Sequence, residues 1–274
     1  MNHARPLAAV AARSFLVLGA LFMLVPLIWT LSTSLKAPGT EFALPVRWIP
    51  ESFHWENYAE VMQRVPLARW FLNSLVVALA ATVGQMITGA MAGYAFARLK
   101  FRGRDPLFLL YLGTMMIPPQ VTIIPLFIIV RAFGWYNSYP GLIVPGLFGA
   151  FSVFIMRQFF LTVPDELEDA AKLDGANHWQ IFYRVMLPLA GPSLATLATF
   201  TFMSFWNSFL YPLIVTSSQD MRTLTVGLSV FRDTFTTEWT LLTAGLIISM
   251  IPVIIAFLIG QRYFVRGITM TGLK

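Results

Sequence analysis

Hydrophobic and polar residues are segregated into long blocks along this chain. Asp, Glu, Lys and Arg are all absent from 14–35, 70–97, 106–130, 132–156, 185–219 and 239–261. Each block exceeds the roughly 20 residues that a helix needs to cross about 30 Å of hydrocarbon. A bilayer offers no water to satisfy backbone N–H and C=O groups, so such segments must be helical. The pattern predicts an all-α membrane protein with about six transmembrane helices. Charged residues make up only 12% of the 274 positions, against about 25% in soluble domains. The first block follows Arg5 and Arg13 and is longer than a signal-peptide core. No small-residue cleavage pattern follows it, so it is expected to remain as the first span.

With six spans both termini share one side. If that side is cytoplasmic, it carries twelve basic residues: Arg5, Arg13, Arg98, Lys100, Arg102, Arg104, Arg157, Lys172, Arg184, Arg262, Arg266 and Lys274. The opposite side carries seven: Lys36, Arg47, Arg64, Arg69, Arg131, Arg222 and Arg232. Short loops carry the positive-inside bias most strongly, and the loop Arg98–Arg104 holds four cations in seven residues. Both termini are therefore expected in the cytoplasm. The external loops are then 36–69, 134–140 and 217–238. The first is broken by prolines, with a short surface helix expected over 55–65. A single transmembrane domain is expected to occupy 1–274. The net charge of +6 sits beside span ends, where topology accounts for it, so nucleic acid is not an expected partner. Without cysteine there is no disulfide, thiolate metal site or cysteine nucleophile.

The internal loop, about 161–188, breaks the pattern. Asp165 with Glu168 has capping-box spacing, and acids crowd the first turn, where the helix dipole favours them. Leu167, Ala170, Ala171 and Asp174 follow helical spacing along one face. Gly175 is placed to end the helix at positive φ. Asn177 with Gln180 predicts a second cap, opening a helix that runs through Trp179 and Phe182 to Pro188. Small Ala170 and Ala171 permit close approach of another backbone, and the acids beside them suit a partner's Arg or Lys. The alternative is a helix resting on lipid headgroups. Such helices carry basic polar faces, whereas this one has five acids and one lysine.

The residues Asp169-Ala170-Ala171, then Gly175, Val185 and Leu187-Pro188, reproduce the spacing of a motif found in permease subunits of binding-protein-dependent ABC importers. That motif has Glu and Ile where this chain has Asp169 and Val185. At average usage the fixed Gly and Pro offsets alone would coincide by chance about 0.4% of the time. Further similarities to the carbohydrate branch are Trp48-Ile49-Pro50 followed by Asn57-Tyr58, Asn73-Ser74, Met116-Ile117-Pro118, Ile124-Pro125-Leu126-Phe127, Leu173-Asp174-Gly175-Ala176, Trp206-Asn207 and Phe264-Val265-Arg266-Gly267. The resemblance implies the type I importer permease fold and the prokaryotic inner membrane. It implies a sugar, polyol or glycerol phosphate as solute. The implied partners are a second homologous permease, two copies of a cytoplasmic ATPase that use ATP and Mg, and an external solute-binding protein. Glu168, Asp169, Ala170, Ala171, Asp174 and Gly175 would dock the ATPase.

Omissions agree with that reading. There is no phosphate-cradling G-x-x-x-x-G-K-[ST] loop in this chain, so ATP is expected on another subunit. His3, His54 and His178 fall outside the spans, and the spans hold no acid. This disfavours an ion-coupled carrier and leaves a membrane-embedded enzyme without a catalytic set. Asn207, Gln120 and Gln85 are the main strongly polar residues in the spans. Asn207, Trp206 and Gln120 are the candidate solute contacts. Pro118, Pro119 and Pro125 are expected to kink the third span.

Overall fold

The computed structural model describes residues 4–232 and 236–271, except the side chains of 4–8, 11 and 263–271. His3 and Lys274, used above, lie outside the described residues. Among the described residues the regular structure is helical, apart from one isolated bridge between Arg232 and Thr237. Four helical stretches are long and apolar enough to span a bilayer: 12–34, 67–98, 139–162 and 239–262. Two further spans are bent pairs, 104–116 with 119–132 at 100° and 178–189 with 191–206 at 76°.

The chain divides into two compact units. The smaller comprises 1–67 and 228–250. Here α1 (Ala4–Ser34) carries its apolar side chains outward, Phe15 and Phe22 among them, as a lipid-facing helix requires. The expected surface helix is α2 (Glu56–Arg64). It is fastened by buried Asn57, whose amide donates to the Ser34 and Lys36 carbonyls at 3.0 and 2.9 Å. Its last turn is tied to the segment before Trp239 by Arg64, which pairs with Glu238 at 2.5 Å.

The larger unit comprises 68–227 and 251–274. Its longest element is α3 (Leu67–Arg98), 32 residues without a proline. The third span is α4 (Arg104–Gly113), a 3-10 turn, and α5 (Pro119–Ala132). The break falls where sequence placed the kink, at Pro118 and Pro119, because Ile117 precedes proline and is extended. The fourth span begins later than its uncharged block. Gly134 and Asn137 adopt positive φ in a turn. The span then runs through α6 (Tyr139–Ile143), a 3-10 turn and α7 (Ala150–Thr162). It passes Arg157 because that guanidinium folds inward, bonding the Phe96 carbonyl at 3.2 Å and lying 4.2 Å over the Phe108 ring.

The internal loop forms α8 (Asp165–Leu173), α9 (His178–Ile181), a π turn at Phe182–Met186 and α10 (Leu187–Leu189). The wide turn lies immediately before Pro188, whose ring cannot accept a regular preceding turn. Entry to the straight part of the fifth span is not at Pro188 but at α11 (Gly191–Trp206), after the bend. Beyond it lie α12 (Leu210–Val215), α13 (Leu224–Leu228) and α14 (Trp239–Thr271). Two apolar clusters hold this unit. One joins Ala90, Tyr94, Met156, Phe160, Ile181, Phe182, Met186 and Leu197. The other joins Val77, Leu142 and Val215.

Candidate functional site

The loop singled out from sequence, about 161–188, starts where α7 ends. Val163 is extended and Pro164 caps α8 by conformation alone. The capping box expected from Asp165 and Glu168 does not form, since no side chain caps this helix. Both carboxylates instead meet Arg98, at the end of α3. Asp165 pairs with its guanidinium, and Glu168 turns inward, 3.6 Å from Nε. Pro164 takes the N-cap position, so Asp165 stands inside the helix at its first residue, and the Arg98 guanidinium claims both carboxylates.

Arg98 is nearly enclosed and also bonds the backbone. It donates to the Phe160 carbonyl from Nε at 3.0 Å and from a terminal nitrogen at 2.7 Å, and to the Val163 carbonyl. The last carbonyls of α7 are thereby satisfied by a side chain from another span.

The end of α8 is a Schellman turn. Gly175 has φ +79°; its N–H bonds Lys172 O at 2.9 Å, and Ala176 N–H bonds Ala171 O at 2.9 Å. That φ suits glycine and strains any other residue. The second cap forms in both directions: Gln180 N–H to Asn177 Oδ1 at 2.9 Å and Asn177 N–H to Gln180 Oε1 at 2.8 Å.

These anchors divide the six candidate residues. Glu168 and Ala171 face inward, Ala171 packing on the cluster around Tyr94 and Phe160. Asp169, Ala170, Asp174 and Gly175 face out. The hydrogen bond that Lys172 donates to the Asp169 carboxylate, with support from the Asp169, Glu168 and Asp165 charges, raises the Lys172 ammonium above its ordinary pKa. Leu173, read from sequence only as part of the Leu173-Asp174-Gly175-Ala176 resemblance and not as a docking residue, is 90% exposed at the tip. The outward face is therefore small and apolar with an acidic rim, held on a rigid base.

In the same unit, a cavity of about 640 Å³ opens beside the break of the third span. Its polar lining is Gln85, Thr114, Thr201 and Ser204, and its rings are Phe151, Phe200 and Phe205. Gln85 donates to Gly146 O at 2.9 Å. None of Asn207, Trp206 and Gln120 lines it. Trp206 is 2% exposed, stacked on Phe202 and edge-on to Phe71. Its ring is packed within this chain. Asn207 is exposed and bonds its own helix at Met203 O, 2.8 Å away. Gln120 is exposed in the first turn of α5.

Residues 85–270 match the model of the binding-protein-dependent transport system inner membrane component family. The chain belongs to that family and is a multi-pass membrane permease of the ABC importer class, not an enzyme. It is 36% identical to the probable ABC transporter permease protein YurM of Bacillus subtilis, over 95% of this chain and 87% of that one. It is 33% identical to the diacetylchitobiose uptake system permease protein NgcG of Streptomyces coelicolor, over 93% and 85%. A crystal structure of a bacterial ABC transporter that imports the acidic polysaccharide alginate superimposes with a TM-score of 0.84 at 24% identity, covering 96% of this chain and 99% of that one. The fold is that of type I importer permeases.

Proposed function

We propose that this chain is one of two homologous transmembrane subunits of an ATP-driven importer for a sugar or a related polyol phosphate. Its docking loop (about 161–188) rests on a cytoplasmic ATPase, with both termini on that side of the inner membrane. An external solute-binding protein delivers the solute. The observation that carries the reading is the outward face Asp169, Ala170, Leu173, Asp174 and Gly175, fixed from behind by Arg98 and by the cap at Asn177. A loop held so firmly suits transmitting force. Its acids suit a basic partner, and its small residues allow close approach. The solute class is supported by the relatives, named for diacetylchitobiose, arabinooligosaccharides and sn-glycerol-3-phosphate. The Gln85 cavity offers hydroxyl and amide partners beside aromatic faces, which suits a sugar ring.

The test is co-purification with the ATPase. Gly175→Asp and Ala170→Asp are expected to abolish ATPase association while the chain still inserts into the membrane. A Gly175→Asp chain that keeps its ATPase and full transport sinks the docking assignment. Identification of the ligand carried by the binding protein by mass spectrometry reads the solute, and a ligand with no hydroxylated carbon skeleton refutes the class proposed here.

A further inference from the structure

Helix α3 differs from the other spans of its unit. The third and fifth spans are bent by 100° and 76°. The fourth is interrupted by a 3-10 turn at Val144–Gly146. Helix α3 runs unbroken for 32 residues, about 48 Å at 1.5 Å per residue. A displacement applied to a broken span is absorbed at the break; one applied to α3 reaches its other end.

Both ends of α3 are fastened to segments that would have to move. At the end remote from the docking loop, buried Asn73 donates to Asp220 O at 2.7 Å and to Arg222 O at 2.8 Å. Its own Oδ1 accepts from the Tyr139 hydroxyl at 2.7 Å. Trp70 Nε1 donates to Gln219 O at 2.8 Å, and Ser74 Oγ accepts from the Leu224 N–H at 2.8 Å. Arg69 Nε adds a bond to Asp220 O at 3.3 Å, so five side-chain bonds from one helix end hold 219–224. At the other end Arg98 fastens the last carbonyls of α7 and two carboxylates of α8, exposed Asp165 and inward Glu168. Between the ends, a Cβ added at Gly89 or Gly93 would fall 2.7 or 2.6 Å from the Cβ of Ser152 or Met156, so α3 and α7 touch backbone to backbone.

We propose that α3 is the strut by which the external segment 219–224 and the docking helix sense each other, with Asn73 and Arg98 as its positioning residues. This rests on the docking and orientation readings above. When the binding protein engages the outer face, a shift of 219–224 moves Asn73, and α3 carries that shift to Arg98 and so to α8. Neither residue touches solute or nucleotide. Each acts through the backbone that it holds.

The experiment uses the complete transporter in proteoliposomes. It measures ATP hydrolysis with and without loaded binding protein, alongside the permease-to-ATPase ratio. Asn73→Ala and Arg98→Gln are each expected to lower the stimulation ratio about five-fold or more in complexes that retain their ATPase. The double variant is expected to be no worse than the poorer single one, because both cut one strut. A merely structural role would reduce the amount of complex and leave the ratio of the surviving complexes intact. If Arg98→Gln does not assemble, Arg98→Lys replaces it, keeping the charge but not the forked donation to two carbonyls. If neither assembles, Asn73→Ala decides alone, being a helix length from the docking surface. Assembled variants that keep wild-type stimulation, or losses that multiply in the double variant, overturn the strut. Retention of the ATPase by Gly175→Asp would instead overturn the docking reading.

Discussion

Replacing Gly93 with alanine tests the close contact of α3 and α7 directly. An added Cβ would lie 2.6 Å from Met156 Cβ, 2.8 Å from Arg157 N and 3.0 Å from Met156 C. Carbon contacts settle at about 3.5–4.0 Å, so α7 must retreat by about 1 Å. Two of the three atoms are backbone, and Met156 is fully buried, so no side-chain rotation relieves the clash. Overpacking of this kind costs about 1–3 kcal/mol. The retreat also opens the neighbouring Gly89–Ser152 contact, where a gap forfeits about a quarter to a half of each atom pair's attraction. Against this stands about 0.5–1 kcal/mol gained by replacing a helical glycine with alanine. The net expectation is a loss of about 1–2 kcal/mol. Gly19→Ala in α1 meets nothing within 4 Å and should gain about 0.5–1 kcal/mol. Unfolding of the purified chain in mixed micelles of rising dodecyl sulfate content, followed by tryptophan fluorescence, measures both. If Gly93→Ala is as stable as wild type while Gly19→Ala shows its gain, the helices do not meet as described.

Three other expectations concern segments outside the spans. Asn57→Ala strands the buried Ser34 and Lys36 carbonyls and should cost about 2–3 kcal/mol, read as early proteolysis near α2. Asn177→Ala removes one half of the reciprocal cap and should cost about 1 kcal/mol locally, read as faster hydrogen exchange at Gln180 and Ile181. The backbone at the start of α2, and after it the His54 ring, holds the Glu56 carboxyl below its ordinary value of 4.5. A depressed carboxylate stabilises the folded state above its unfolded pKa, and that contribution is lost as pH falls through the folded value. His54→Ala should therefore move the Glu56 carboxyl resonance midpoint up toward 4.5, and an unmoved midpoint would refute the pairing.

Span number was legible because a bilayer imposes length and charge rules on local sequence. Span boundaries were less so. An uncharged block reports where charge is absent, and Arg157 shows that a helix can continue past a cation once the protein solvates it. In the 161–188 loop, Gly175 and the Asn177–Gln180 cap were readable because both are decided by residues within four positions. The cap expected at Asp165 failed because its competitor, Arg98, stands 67 positions away. The Gln85 cavity was invisible for the same reason. Gln85, Thr114 and Ser204 have no shared periodicity, and only the fold brings them to one wall. Trp206 was singled out for its chemistry, but its environment turned that ring into core.

Arg98 illustrates how one residue can serve two purposes that sequence inspection conflates. Read locally it is one of four cations in a short loop, and its value is topological. In the folded chain its guanidinium is withdrawn from the loop into the base of α8, and Arg104 is occupied by Asp105 at 3.1 Å. Lys100 and Arg102 are left exposed. Burial of Arg98 does not weaken the orientation expected from the cation count. Topology is decided as the chain inserts, and the partners of Arg98 begin at Phe160, 62 positions later. During insertion all four cations of the loop are hydrated and count fully. Once the fourth span and α8 have followed, the same charge is drawn inward to hold them. A variant with Lys at 98 should therefore orient normally yet hold α8 less firmly, separating the two purposes that the arginine combines.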